Sequence, residues 1–170
     1  MSAGSEEGIS MTVTVAQADY GDPAQAGAIA RLMEEYAQDP MGGGKPLPEG
    51  VAERLAAELA RRPQALTLLA YAGDEAAGLL NAFEGFSTFA GRPLLNLHDV
   101  MVSRRFRGQG IGRLLLAEAE RIARERGCCK ITLEVLEGNR VARAAYEKAG
   151  FGAYVLDPAA GRALFWQKPL

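Results

Sequence analysis

The chain has 170 residues and a mass of 18.1 kDa, which suits a single domain. Hydrophobic residues make up 48% of it and charged residues 24%, so there is enough apolar surface for a core and a disordered chain is excluded. The net charge of -2 argues against nucleic acid as a partner, because binding through phosphates usually needs an excess of basic side chains.

Targeting signals and metal sites are also not expected. No apolar run approaches the roughly 20 residues that cross a bilayer, and the start of the chain lacks the basic and apolar parts of a secretion signal. We therefore expect a cytoplasmic protein without a membrane partner. Residues 1–10 are expected to be a flexible leader and residues 11–170 a single domain. The adjacent cysteines and a single histidine make a poor disulfide and a poor metal site.

Periodicity predicts alternating strands and helices in chain order. Strands are expected over 12–15, 66–71, 77–89, 94–102 and 131–136, followed by a final antiparallel pair over 154–156 and 163–167. Helices are expected over 23–39, 51–61, from the glycine-rich segment after residue 105 to residue 126, and over 139–149. Hairpins make part of the sheet antiparallel, whereas the strand–helix–strand unit over 94–136 requires a parallel pair. The predicted class is α/β with a mixed sheet.

The segment RFRGQGIG, residues 105–112, carries the clearest chemical signal. Gly108, Gly110 and Gly112 allow a ligand to approach main-chain N–H groups, and the helix that follows directs its free N–H groups to the same place. Several basic side chains flank it: Arg104, Arg105, Arg107 and Arg113. This pattern indicates an anion site that suits two linked phosphates. The alternative is a tight turn with solvated arginines.

Two other phosphate motifs can be rejected on spacing. A dinucleotide fingerprint requires a third glycine where Arg113 stands, which counts against a nicotinamide-dependent oxidoreductase. Gly44-Lys45 is not a P-loop, because Asp39 and Pro46 occupy the places of its first glycine and its hydroxyl residue.

The stretch VMVSRRFRGQGIGRLLL, residues 100–116, resembles the signature of the GNAT superfamily of N-acetyltransferases. Its pattern Q/R-x-x-G-x-G/A is filled by Arg107, Gly110 and Gly112. NRVARAAYEKAGF, residues 139–151, resembles a second block of the same superfamily, and LNLHDVMV resembles a strand of spermidine/spermine and related diamine acetyltransferases. The resemblance implies a twisted, mostly antiparallel mixed sheet with helices on both faces.

The resemblance also implies acetyl-CoA as co-substrate and a set of residues that bind it. The main chain of Val100, Met101 and Val102 would meet the pantetheine. The diphosphate would be held by the loop and the start of its helix: Arg107, Gly108, Gln109, Gly110, Ile111, Gly112 and Arg113. Asn139 and Lys148 are further positions implied to reach CoA. Tyr146 matches a tyrosine near the thioester sulfur.

The catalytic assignment rests on a few side chains. Tyr146 is a candidate acid for the CoA thiolate, and its alternative is an ordinary buried aromatic residue. His98 and Asp99 are candidate bases, with Glu134 as a further option; in the similar diamine enzymes a glutamate stands in the place of His98. Because neighbours on a strand face opposite sides, one of the pair His98 and Asp99 is expected to face the acceptor.

The predicted function is transfer of an acetyl group to a primary amine of a small molecule. Four carboxylates could hold a cationic amine or simply form a polar surface: Glu34, Glu35, Asp39 and Glu84. The alternatives are a catalytically silent CoA-binding module and a protein N-terminal or lysine acetyltransferase. A homodimer that shares its C-terminal strands is left as an option.

Overall fold

The structure is a computed structural model that describes residues 12–170, so the predicted leader over residues 1–10 lies outside the described residues. The sheet contains β1 (Val13–Gln17), β2 (Ala65–Ala72), β3 (Glu75–Ser87), β4 (Arg92–Val102) and β5 (Ile131–Leu133). The helices are α1 (Pro23–Gln38), α2 (Val51–Ala60), α3 (Ile111–Glu125) and α4 (Arg140–Lys148), with single 3-10 turns at Arg104–Phe106 and Pro158–Ala160. The predicted α/β class is confirmed.

The five strands lie in chain order, β1-β2-β3-β4-β5. The first four pair antiparallel; short turns connect β2 to β3 and β3 to β4, whereas α1 and α2 lie between β1 and β2. Only β4 and β5 are parallel, and α3 is the connection between them, as the prediction required. The pairing of β5 is short, because it covers Leu95–Leu97 of β4 and no more.

Alternation along the strands gives the sheet two apolar faces. On β2, Leu66 and Leu68 pack against α3, whereas Leu69 packs against α1 and α2 on the other side. Gly78 on β3 lets α3 approach closely, since an added Cβ would lie 3.0 Å from Ile111 Cγ2 and 3.1 Å from the main-chain oxygen of Met101. The expected layers, with helices on both faces, are therefore present.

Local signals set the helix ends. Asp22 caps α1 by accepting from the main-chain N–H groups of Ala24 and Gln25, and Pro23 is the first helical residue, as predicted. Gly127 follows α3 with a φ of 69°, a left-handed conformation that a glycine adopts without strain. None of the helices within residues 12–170 has the length and apolar character needed to cross a membrane.

The prediction for the C-terminal segment is wrong. No strand forms over 154–156 or 163–167; Asp157 instead caps the turn at Pro158–Ala160, and Trp166 is 83% exposed. Alternating apolar residues form a strand only beside a partner, and an isolated hairpin has little stability in water. The strand predicted over 131–136 also stops early, at Leu133. A dimer through this segment stays a prediction.

Candidate active site

The two central strands separate in the middle of the sheet. On the β3 side of β4, Ala82 pairs with Leu97 and Asn81 pairs with Asp99, so His98 is an extra residue that forms a β-bulge. On the other side, β5 stops pairing at Leu97. The second half of β4 therefore borders a gap, which we call the strand gap and which lies between Asp99–Val102 and the end of β5.

Main-chain groups of β4 face the strand gap. The N–H of Ser103 donates to the Ala77 carbonyl on β3. In an antiparallel pair every second residue bonds to the partner strand, so Met101 also directs its main-chain N–H and C=O to β3. Val100 and Val102 occupy the intervening positions, and their N–H and C=O groups point towards the gap. Of the predicted strand residues, these two expose polar main chain there, whereas the Met101 side chain is buried against α1.

The glycine loop lies at the end of β4 and leads into α3. Gly108 and Gly110 have φ values of 80° and 78°, so the turn uses conformations that strain other residues. Gly110 is the N-cap of α3 and has no side chain to bond the first helical N–H groups. The N–H groups of Ile111, Gly112 and Arg113 thus carry the positive end of α3 towards the gap.

The arginines of the loop are braced by the end of α1. Arg107 donates to Asp39 at 2.9 Å and to the Val102 carbonyl at 3.1 Å, while Glu35 accepts the main-chain N–H of Arg104 at 2.8 Å. The main-chain N–H of Met41 and the Arg107 guanidinium lower the pKa of Asp39 below its ordinary value.

The acidic residues therefore have partners other than a substrate amine. Glu34 accepts from the main-chain N–H of Leu47, and Glu84 pairs with Arg126 at 3.3 Å. With Glu35 and Asp39 engaged at the loop, the hypothesis of an amine site built from these carboxylates is replaced by a structural role. Sequence reasoning missed this brace because its partners lie almost 70 residues apart along the chain.

Asp99 lies on the α1 side of the sheet, at the end of a hydrogen-bond chain. Tyr20 donates to Thr67 Oγ1 at 2.9 Å, Thr67 donates to Asn81 Oδ1 at 2.6 Å, and Asn81 Nδ2 donates to Asp99 Oδ2 at 3.0 Å. Burial raises the pKa of Asp99, while the Asn81 bond and nearby His98 act in the opposite direction. The other oxygen of Asp99, Oδ1, accepts no hydrogen bond from the described residues. Among these residues, every buried side-chain N or O atom has a hydrogen-bond partner. Oδ1 is therefore not buried but accessible to solvent.

Two partly buried tyrosines, Tyr36 and Tyr146, pack against opposite faces of the sheet. Burial raises the pKa of Tyr146 on α4 to about 12, and Tyr36 on α1 adds to the effect. Burial also raises the pKa of Tyr36, with Asp99 as its next cause. Tyr36 lies in the helix predicted over 23–39 and was not a predicted site residue, so the structure adds it to the candidate site.

His98 is more exposed than its neighbour Asp99. Its ring is exposed and meets the ring of Phe83 edge-on, with centroids 5.0 Å apart. No side-chain hydrogen bond to His98 occurs within residues 12–170. Because the bulge interrupts the strand, the expected alternation of sides between His98 and Asp99 does not hold there.

Helix α4 supplies the remaining predicted residues. The side chain of Asn139 caps this helix by accepting the N–H of Ala142 at 3.1 Å, so its oxygen is already used. Tyr146 packs edge-on against Phe151 with ring centroids 5.9 Å apart. Lys148 is exposed in the last turn.

Comparison with known proteins agrees with this geometry. The family model described as "Acetyltransferase (GNAT) family" matches residues 29–151. The chain belongs to the GNAT family. A solved structure described as a probable acetyltransferase has a TM-score of 0.77 over 92% of this chain and 97% of its own, at 21% identity, which shows the GNAT fold. The predicted family and fold are confirmed.

Two curated relatives match part of the chain. A streptothricin acetyltransferase of Streptomyces lavendulae is 40% identical over 82 residues, which is 48% of this chain and 43% of that protein. A thialysine N-epsilon-acetyltransferase of Bos taurus is 35% identical over 65 residues, 38% of each chain. The matches thus span less than half the length of either relative.

Proposed function

We propose that the chain is an N-acetyltransferase that transfers the acetyl group of acetyl-CoA to a primary amine of a small molecule by direct attack. One observation carries the proposal: the strand gap joins the main chain of Val100 and the N–H of Val102, which no neighbouring strand pairs there, to the uncapped start of α3. A ligand with an amide-bearing arm and a diphosphate matches both parts of this surface.

The residues present fit acetyl-CoA. The two amides of pantetheine can pair with the exposed edge of β4 as a neighbouring strand would. The diphosphate suits the N–H groups at the start of α3. A Cβ at Gly112 would meet only Val102 Cγ2, at 3.8 Å, so the fold does not require a glycine there. Because Gly112 has no Cβ, a ligand has room to lie against the main chain there.

We assign the two proton transfers to opposite sides of the strand gap. The amine nitrogen becomes acidic as it forms a bond to the thioester carbon, and Asp99 takes its proton. The carbon–sulfur bond breaks, and Tyr146 donates its hydroxyl proton to the CoA thiolate. With a pKa of about 12, Tyr146 stays protonated at neutral pH, as a donor must. Solvent then restores both side chains.

The surroundings favour Asp99 over His98 as the base. Asp99 is partly buried beside Tyr36 with one oxygen accessible, whereas His98 is exposed against Phe83. A carboxylate next to aromatic rings also favours a cationic acceptor. The names of the two relatives give streptothricin and the ε-nitrogen of thialysine as acetylated molecules, which agrees with an amine acceptor.

The test is an amine panel in which free CoA is measured by a thiol reagent. The panel contains diamines, amino acids, aminoglycosides and peptides with free N-termini or lysines. A control without amine subtracts the signal of Cys128 and Cys129, which are partly accessible. We expect release that depends on a small amine.

Three other results would contradict the proposal. Calorimetric binding of acetyl-CoA without release for any amine would indicate a silent CoA-binding module. Release with peptides alone would indicate a protein acetyltransferase. Binding of NAD in place of acetyl-CoA would indicate a nucleotide-dependent enzyme.

A further inference from the structure

The hydrogen-bond chain behind Asp99 has a fixed direction. A threonine hydroxyl has one hydrogen, and Tyr20 already donates to the oxygen of Thr67. The hydrogen of Thr67 is therefore directed to Asn81 Oδ1, which is the acceptor atom of the Asn81 amide. The order of donors runs from Tyr20 towards Asp99.

This order fixes the amide of Asn81. With its oxygen facing Thr67, the NH₂ group faces Asp99. Asn81 Nδ2 also lies 3.4 Å from Met33 Sδ, which is a weak acceptor. A thioether sulfur has no hydrogen to donate, so it could not bond to an amide oxygen in the same place. Thr67 and Asn81 are 1% and 3% exposed, so water does not compete for these bonds.

The orientation decides which form of Asp99 is favoured. An N–H donor stabilises a carboxylate, whereas an amide oxygen in the same place would stabilise the protonated acid. We propose that Asn81 is a positioning residue that keeps Asp99 ionised with its Oδ1 free for the amine, and that Thr67 and Tyr20 hold the Asn81 amide in the required orientation. The proposal rests on the proposed function, in which Asp99 is the base.

The titratable groups around Asp99 are few. His98 lies beside it on β4 and acts on its pKa, Asp99 acts on the pKa of Tyr36 of α1, and Tyr36 acts on the pKa of Tyr146 of α4. Substitutions at Thr67 leave these three groups in place, so a change in the titration of Asp99 reports on the hydrogen-bond chain.

The test compares Thr67→Val, which removes the hydroxyl at similar volume, with Thr67→Ser, which keeps it. Titration of the Asp99 carboxyl carbon by NMR is expected to move to higher pH in Thr67→Val and to stay at the wild-type position in Thr67→Ser. The acid limb of kcat/KM against pH should move in the same direction, with a loss on the order of tenfold at the acid end and an unchanged KM for acetyl-CoA.

Two further variants grade the effect. Asn81→Ala removes the donor itself and is expected to give a larger shift, while Tyr20→Phe, at the far end, should give a smaller one. An unchanged Asp99 titration in Thr67→Val, or a Thr67→Ser protein as defective as Thr67→Val, would overturn the proposal. Because NMR needs no turnover, wild-type protein without acetyl transfer but with the expected NMR shifts would overturn the proposed function and support the role of Asn81.

Discussion

The two sides of the strand gap are built in different ways. The side next to α3 consists of main-chain groups from one contiguous stretch, Val100 to Arg113. The side next to α1 consists of side chains from separate elements, with Tyr36, Asn81 and Asp99 as its central members. Main-chain N–H groups can bind CoA whichever acyl group it carries. A set of side chains can instead be specific for one acceptor amine and can accept its proton.

The largest effect is expected from Asp99→Asn. Loss of the proton acceptor should lower kcat/KM for the amine by on the order of a thousandfold, with little change in acetyl-CoA affinity. Steady-state kinetics and calorimetry measure the two quantities. His98→Ala is the comparison on the same strand. It should keep kcat/KM near the wild-type value above the acid limb, and the acid limb should move only slightly to higher pH, because His98 lowers the pKa of Asp99. If His98→Ala abolished the pH dependence of kcat/KM and Asp99→Asn kept it, His98 and not Asp99 would be the base.

Tyr146→Phe should lower kcat by about a hundredfold, since the thiolate then leaves without a proton donor. The KM for acetyl-CoA should change little, because the ring remains in place against Phe151. Tyr154→Phe is the matched control, as Tyr154 is 64% exposed outside the gap. Equal activity of the Tyr146→Phe and wild-type enzymes would exclude Tyr146 as the acid.

Gly112→Ala tests the main-chain side. The added Cβ has room in the fold but would stand between the helix N–H groups and a diphosphate, so the Kd for CoA should rise on the order of tenfold. Thermal unfolding should show no loss of stability, because alanine favours a helix. Gly27→Ala, an exposed helical glycine with nothing within 4 Å of its Cβ position, should leave the Kd unchanged.

The smallest effect is expected from Asp39→Asn, which weakens the brace on Arg107. The Kd for CoA should rise by about threefold, and the free energy of unfolding at pH 7 should fall by ~1 kcal/mol. Since folding lowers the pKa of Asp39, its stabilisation is present above the unfolded pKa and is lost as pH falls through the folded value.

The free energies of unfolding of Asp39→Asn and of the wild type should therefore become equal at low pH. Urea titrations at several pH values measure both. Glu75→Gln, which breaks the ion pair of Arg105 instead, should leave the Kd for CoA unchanged. A similar loss of CoA affinity in both variants would mean that the brace has no specific role.

The elements predicted from sequence and those missed differ in a systematic way. The start of α1 at Pro23 and the glycine loop before α3 are both predicted, because each depends on neighbours in the chain. The final strand pair was wrong, because apolar alternation does not say whether a partner edge is available.

The amine side was the hardest to predict. Asn81 lies in the apolar stretch 76–83 of β3 and Tyr36 on an ordinary amphipathic helix, so neither stands out in the sequence as a site residue. The bulge at His98 has no local signal, yet it changes which side chains of β4 share a face. The candidate His98 was therefore easy to name, and its exposed position against Phe83 could not be predicted.

By itself, the sequence determined where main-chain N–H groups are free to bind an anion, since glycines and helix starts act within a few residues. Only the tertiary structure decided which side chains face the reaction, that α1 braces the loop through Asp39, and that Tyr20, Thr67 and Asn81 form a line behind Asp99. These contacts join residues far apart in the chain, so they depend on strand register and on the parting of β4 from β5.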